Sequence, residues 1–260
     1  MARKILIVGN WKMHLNASQA SLLLQRLQEH IDIHRDIEIV LAPSMLSLQP
    51  LSIQIDRRKF RLAAQNAYWR DEGAFTGEVS FTMLRDLISY AIIGHSERRL
   101  IFHEDLETVR DKVAAAVRNE IIPILCVGET KQEREDDETK QVLHDELMSA
   151  LSNLTAAEVQ NMVIAYEPVW AIGRENVTKP DQAETVVKYI RSYVHDVFGD
   201  KASKGLRILY GGGVVPESIH GFLDIKDIDG FLVGHESINY HDFSAIVESA
   251  WRWQRQGEEE

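Results

Sequence analysis

Residues Asn161 to Gly173 (NMVIAYEPVWAIG) hold the pattern around which a reaction could be built. Met162 to Ala165 are apolar without helical spacing, as in a strand buried on both faces. Tyr166 and Glu167 follow at the strand's end, and Pro168 stops the ladder because it has no N–H to donate. Val169-Trp170-Ala171-Ile172 then places an apolar run in a loop, and loops seldom spend a Trp and an Ile unless they close over something. A carboxylate at a strand tip beside an apolar flap suits a general base shielded from water. The alternative is a loop that merely packs on a rim.

Other polar residues stand in comparable places. Asn10 and Lys12 follow the apolar run Lys4–Gly9, and His95 follows Tyr90–Ile93. Gly211, Gly212 and Gly213 follow Leu206–Leu209, and Gly234 follows Gly230–Val233. A lone His after a strand is more often structural than catalytic, and a Gly pair more often a turn. Their convergence on the same ends of several strands is harder to obtain by accident. Competing motifs fail. His95-Ser96-Glu97 contains H-x-E, but no P-C-x-x-C completes a deaminase zinc site. Ser96 is not in G-x-S-x-G, no G-x-x-x-x-G-K-[ST] exists, and Tyr210-Gly211-Gly212-Gly213 is not a dinucleotide fingerprint. No cofactor and no metal is expected.

The elements that must position these groups alternate. Strands are expected at Lys4–Gly9, Ile37–Leu41, Arg61–Ala64, Tyr90–Ile93, Ile121–Val127, Met162–Ala165, Leu206–Leu209 and Gly230–Val233. Helical periods run over Ala17–His30, Leu106–Val117, Gln141–Leu151, Ala183–Val197 and Asp242–Trp253. Gln49-Pro50 and Gly73 to Gly77 interrupt the segments after the second and third strands. Eight βα units in 260 residues fit a single α/β domain, a closed (β/α)8 barrel over residues 1–260 with a frayed tail at Gly257 to Glu260. An open doubly wound sheet is the second choice. In such barrels the C-terminal strand ends carry the site, and the loops after strands seven and eight bind phosphate through backbone N–H groups. The charge run Lys131 to Lys140 reads as a solvated loop or helix start without function.

Composition narrows the classes. One cysteine, Cys126, allows no internal disulfide and no cysteine metal cluster, which fits a reducing cytoplasm. Met1 to Gly9 is too short in apolar residues for a signal peptide, and no 18-residue apolar stretch exists, so neither secretion nor a membrane partner is expected. A formal net charge of −11 argues against nucleic acid as a partner. An anionic ligand would need a local positive pocket in a negative protein.

Asn10-Trp11-Lys12-Met13, Gly73 to Glu78 (GAFTGE), Gly94 to Arg99 (GHSERR) and Ala165 to Gly173 (AYEPVWAIG) resemble the triosephosphate isomerase family, in matching order and spacing from the first strand to the last. The resemblance implies a TIM barrel that interconverts dihydroxyacetone phosphate and D-glyceraldehyde 3-phosphate through an enediol or enediolate. By it, Glu167 is the base and neutral His95 the electrophile. Lys12 supplies fixed positive charge, Asn10 lines the pocket and Glu97 anchors Lys12. Glu97, Arg98 and Arg99 also fit a purely structural ion-pair network. Gly173, Gly213, Gly234 and His235 fall where the family binds phosphate, Pro168, Val169, Trp170, Ala171, Ile172, Gly173, Arg174, Glu175 and Asn176 where it has a lid, and Cys126 and Tyr210 are supporting residues. Thr76 matches an intersubunit finger, which implies a homodimer.

Three departures concern phosphate and lid. Gly173 is followed by Arg174-Glu175-Asn176 where the family has Thr-Gly-Lys, Gly213 replaces a serine, and His235 replaces the second glycine after the eighth strand. They leave open a sister isomerase of another short phosphorylated ketose, such as a tetrulose phosphate. A catalytically idle barrel serving as a binding protein is a third reading, opposed by the retention of Lys12, His95 and Glu167 together.

Overall fold

The computed structural model describes residues 3–171 and 178–259, with side chains through residue 256. Eight parallel strands close into a barrel in chain order, the last pairing back on the first. They are β1 (Ile5–Asn10), β2 (Ile37–Ala42), β3 (Phe60–Ala64), β4 (Tyr90–Ile93), β5 (Ile122–Val127), β6 (Val163–Tyr166), β7 (Arg207–Tyr210) and β8 (Gly230–Val233). The closed sheet excludes the open doubly wound alternative. Each strand lies within one or two residues of its expected place.

The apolar runs are continuous because both faces of each strand are buried. Leu6, Val8, Val40, Ala63, Ile92, Ile124, Val163, Ala165, Leu209 and Leu232 fill the barrel. Their sequence neighbours, among them Ile5, Ile7, Ile39, Leu62, Ile164 and Ile208, point outward into a second layer against the helices. The helices Leu106–Arg118 and Pro180–Phe198 supply that layer with Val109, Val113, Ala116, Val186, Val187 and Ile190. The segment after β2 forms a helix over Met45–Gln54 in spite of Pro50, while the segment after β3 stays a long loop to a four-residue helix at Phe81–Leu84. The final helix extends to Glu259, past the Trp253 at which its apolar period stops.

The N-terminal end of the barrel is plugged by polar residues. Tyr90 donates from its hydroxyl to Glu38 Oε1 at 2.8 Å, and Arg207 donates to Glu38 Oε2 at 2.7 Å and to the Tyr90 hydroxyl at 2.8 Å. Burial pushes the Tyr90 phenol up to about 12. Two further ion pairs tie the loops after β3 and β4 to the helix Leu106–Arg118: Glu104 meets both Arg98 and Lys112, and Lys112 reaches Asn66 Oδ1 at 2.8 Å.

Candidate active site

At the opposite end, a cavity of about 440 Å³ is lined by Asn10, Lys12, His95, Glu167, Gly211 to Val215, Leu232 and Gly234 to Glu236. The residues expected at the tips of β1, β4, β6, β7 and β8 therefore meet in one place. Each is held by a local device.

Lys12 sits in the left-handed region, φ 51°, which a lysine adopts only when its surroundings insist. Its N–H donates to Asn10 Oδ1 at 3.1 Å, and Gln65 donates to its carbonyl at 2.8 Å and to that of Ala42 at 2.8 Å. The turn so fixed aims the ammonium at Glu97 Oε1, 2.6 Å away. His95 caps the short helix Ser96–Leu100, and its Nδ1 accepts the Glu97 N–H at 3.2 Å. With Nδ1 accepting, the ring proton must stay on Nε2, which faces Glu167 Oε1 at 3.0 Å. The second carboxylate oxygen of Glu167 accepts the Ser96 N–H at 3.0 Å. Glu167 is 1% exposed, so this carboxylate has exchanged water for two donors.

Electrostatics within the pair oppose each other. Burial disfavours the His95 imidazolium, but the charge and hydrogen bond of Glu167, with Glu97 behind, outweigh it and the net direction is up. Burial raises Glu167, yet His95, the Ser96 N–H and Arg99 pull it the other way and prevail.

Glycine is required where backbone crowds this carboxylate. A Cβ on Gly128, φ +155°, would lie 1.9 Å from the Glu167 carbonyl oxygen, and one on Gly212 would lie 2.1 Å from the Tyr210 hydroxyl. Gly213 donates its N–H to the Ala171 carbonyl at 3.1 Å, which joins the β7 loop to the start of the lid. Gly234 is the N-cap of a short turn of helix, His235–Ile238, and His235 is exposed at the cavity's edge.

The first residues of the expected lid are anchored from below. Val169–Ala171 form one 3₁₀ turn, and the Trp170 indole donates to Glu129 Oε1 at 3.0 Å. Glu129 is 0% exposed, accepts the Tyr166 hydroxyl at 3.2 Å, and pairs with Arg134 at 2.9 Å. The Arg134 guanidinium also lies over the Trp170 ring, 4.5 Å from its centroid. Arg134 belongs to the Lys131 to Lys140 run, so the reading of that run as solvated and without a task needs correction at this residue. Ile172, Gly173, Arg174, Glu175 and Asn176 lie outside the described residues. Tyr210 and Thr178 have buried hydroxyls that interact with each other.

Glu97, Arg98 and Arg99 divide between the two readings. Glu97 holds Lys12, whereas Arg98 pairs with Glu104, and Arg99 pairs with Glu146 and donates to the Gly94 carbonyl at 2.9 Å. Cys126, 2% exposed, lies inside the barrel beneath Glu167. Thr76 does not line the cavity and is exposed on the loop after β3. Sequence reasoning missed Ser96, Gln65, Glu129 and Arg134. Ser96 acts through its backbone, which no side-chain pattern discloses, and Gln65 was visible only as a polar residue ending a strand.

The family model for triosephosphate isomerase matches residues 5–250. The chain belongs to the triosephosphate isomerase family. It is 43% identical over 246 residues to a triosephosphate isomerase of Clostridium tetani, covering 94% of this chain and 96% of that one. A triosephosphate isomerase of Syntrophotalea carbinolica is 42% identical over 246 residues, 94% and 98% of the two chains. One of Chloroherpeton thalassium is 43% identical over 250 residues, 95% and 99%. The chain is thus matched to these relatives over nearly the whole length of both.

Proposed function

We propose that this protein interconverts dihydroxyacetone phosphate and D-glyceraldehyde 3-phosphate. The observation that carries the reading is the contact of His95 Nε2 with Glu167, beside Lys12, in one cavity with His95 Nδ1 already committed to a backbone donor. In the free site the carboxylate rests on His95 and Ser96. A bound triose would separate ring and carboxylate, remove the larger part of the pull that favours the imidazolium, and leave burial, Lys12 and the Glu97 N–H to keep the ring neutral against the weaker pull of the Glu97 carboxylate.

Glu167 then takes a proton from one carbon of the substrate and returns it to the neighbouring one. The His95 Nε2–H donates to the substrate oxygens as they alternate between carbonyl and enediol, and a neutral N–H matches their acidity better than an imidazolium would. Lys12, fixed by Glu97, opposes the negative charge of the enediolate and of the phosphate. Asn10 holds the Lys12 turn. The phosphate is bound by backbone N–H groups at Gly213, Gly234 and His235, with Gly173 contributing from the lid. No cofactor takes part.

We further infer a homodimer. Met13, Leu46, Phe75, Met83, Ile101 and Phe102 are exposed apolar side chains, and all stand in segments that follow β1, β2, β3 or β4, on one side of the rim. An apolar face of that kind is covered in a stable protein, and Thr76 on the third loop would enter its partner. No helix among the described residues is long and apolar enough to cross a membrane. We place the enzyme in the cytoplasm, at the triose step of glycolysis and gluconeogenesis.

The altered residues Gly213 and His235 favour one second reading, a preference for a tetrulose phosphate over the triose. Assaying both trioses and tetrulose phosphates with the same preparation tests it. A higher kcat/KM for a tetrulose phosphate would overturn the triose assignment, and no turnover of either would leave a binding protein.

A further inference from the structure

Outside the active site, charged side chains concentrate at the barrel's other end. A pocket of about 440 Å³ opens there between the start of β1, the approach to β2 and the approach to β3. Six cationic side chains line it, namely Lys4, Arg35, Arg57, Arg58, Lys59 and Arg61, together with His34. The one carboxylate in its wall, Glu38, is already committed to Tyr90 and Arg207 in the barrel floor. In a chain with 40 acidic and 29 basic residues, such a concentration of one sign is a local inversion of the molecule's charge.

The six cations are not equally engaged. Arg58 is neutralised by Asp56, which accepts at 3.0 and 2.8 Å, and Lys59 donates to the Gln28 and Ile31 carbonyls at 2.7 Å each. Arg61 donates to the Arg57 carbonyl. Lys4, Arg35 and Arg57 make no side-chain hydrogen bond or ion pair among the described residues. Asp32 and Asp36 stand on the same loop as His34 and Arg35, and Glu248 faces His34 from the last helix, but none of the three lines the pocket. His34 leans on the Trp251 ring with centroids 5.0 Å apart, which leaves the cationic side of the pocket to the arginines and lysines.

We propose that this pocket binds a compact, multiply charged phosphate chain. Guanidinium groups recognise phosphate oxygens in pairs, and a concave wall of one sign focuses its field on a small counter-ion. The volume suits a small molecule better than an extended polymer. A single phosphate would engage one or two of the cations, whereas a phosphate chain offers oxygens to more of those that line the pocket. The site is separated from Glu167 by the length of the barrel, so its occupation does not compete with substrate.

Calorimetry with sodium tripolyphosphate tests this on the wild type, on Lys12→Met, and on the double substitution Arg35→Gln with Arg57→Gln. The two arginines are exposed and unbonded, so the double variant is expected to keep the wild-type melting temperature and kcat/KM. The wild type should show a site that survives in Lys12→Met and loses at least tenfold in affinity in the arginine variant. That site should also weaken more than tenfold between about 50 mM and about 500 mM salt. Loss of all binding in Lys12→Met, or undiminished binding in the arginine variant, would overturn the proposal. Arginine-dependent capture of a labelled single-stranded RNA without a tripolyphosphate site would overturn the small-anion assignment and make the pocket a nucleic-acid contact.

Discussion

A single methylene separates Glu167 from a carboxylate that could not reach. Glu167→Asp keeps the charge but withdraws it, and a misplacement of about 1 Å can cost on the order of 10²-fold in rate. Turnover of E167D is therefore expected to fall by about that factor with little change in KM, and normal turnover would remove Glu167 from the role of base. The β7 loop makes the converse case. Gly213 spends its N–H on the Ala171 carbonyl in the free protein, and lacks the hydroxyl that a serine at this place would bring. G213S is expected to lower KM for the phosphorylated substrate, and if binding and turnover both stay unchanged, the loop has no part in the grip. Residues such as Lys12, His95 and Glu167 were legible because they stand at strand tips in an otherwise apolar rhythm. Glu129 was not, since one of 40 acidic residues carries no mark of burial until the fold encloses it.

The strands and long helices were readable because burial on two faces, or on one stripe, leaves a period. The lid base was not, because its order comes from partners distant in the chain. Trp170 meets Glu129 across 41 positions. Trp170→Phe keeps the apolar ring and deletes the N–H, a bond to a charged acceptor of about 1.5–3 kcal/mol. We expect the variant to lower kcat and to melt a few degrees below the wild type, still folded because Glu129 retains Tyr166 and Arg134. A variant with unchanged kcat would show that the indole bond does not set the lid's position. The strand ends also govern the alkaline limit. The phenols of Tyr90 and Tyr210 are each pushed up to about 12 by burial, and that of Tyr166 is raised as well. The folded state therefore holds protons that an unfolded chain releases near pH 10. That stability is full below pH 10 and is lost as pH rises through about 12. In a spectrophotometric titration these three of the seven tyrosines should ionise only as the chain unfolds. Seven phenolates appearing while the circular dichroism remains native would contradict the assignment.

At the scale of the molecule, one end of the barrel is read easily and the other is not. The C-terminal rim announces itself through motifs, while the basic pocket at the floor is assembled from Lys4, His34–Arg35 and Arg57–Arg61, segments that look like ordinary solvated turns in the chain. The net charge of −11 even argues against such a surface. Quaternary structure is the other property carried by no single element. The apolar side chains after β1 to β4 lead us to expect a dimer in sedimentation at micromolar concentration. A species of 29.7 kDa alone would contradict it, and Thr76→Arg should then have no effect on mass, whereas in a dimer it should shift the equilibrium toward that species.

Cys126 turns the barrel into its own clock. Its thiol is 2% exposed, and burial, reinforced by the Glu167 charge, holds it well above the ordinary thiol range. A thiolate is the reactive form, so a water-soluble alkylating reagent has neither access nor a nucleophile while β5 stays closed. Labelling of the sole cysteine should thus follow the opening of the whole strand layer, become independent of reagent concentration at high reagent, and rise with urea along the unfolding rate. Rapid, first-order-in-reagent labelling of native protein would mean that β5 breathes locally, next to the Glu167 carboxylate, without global unfolding.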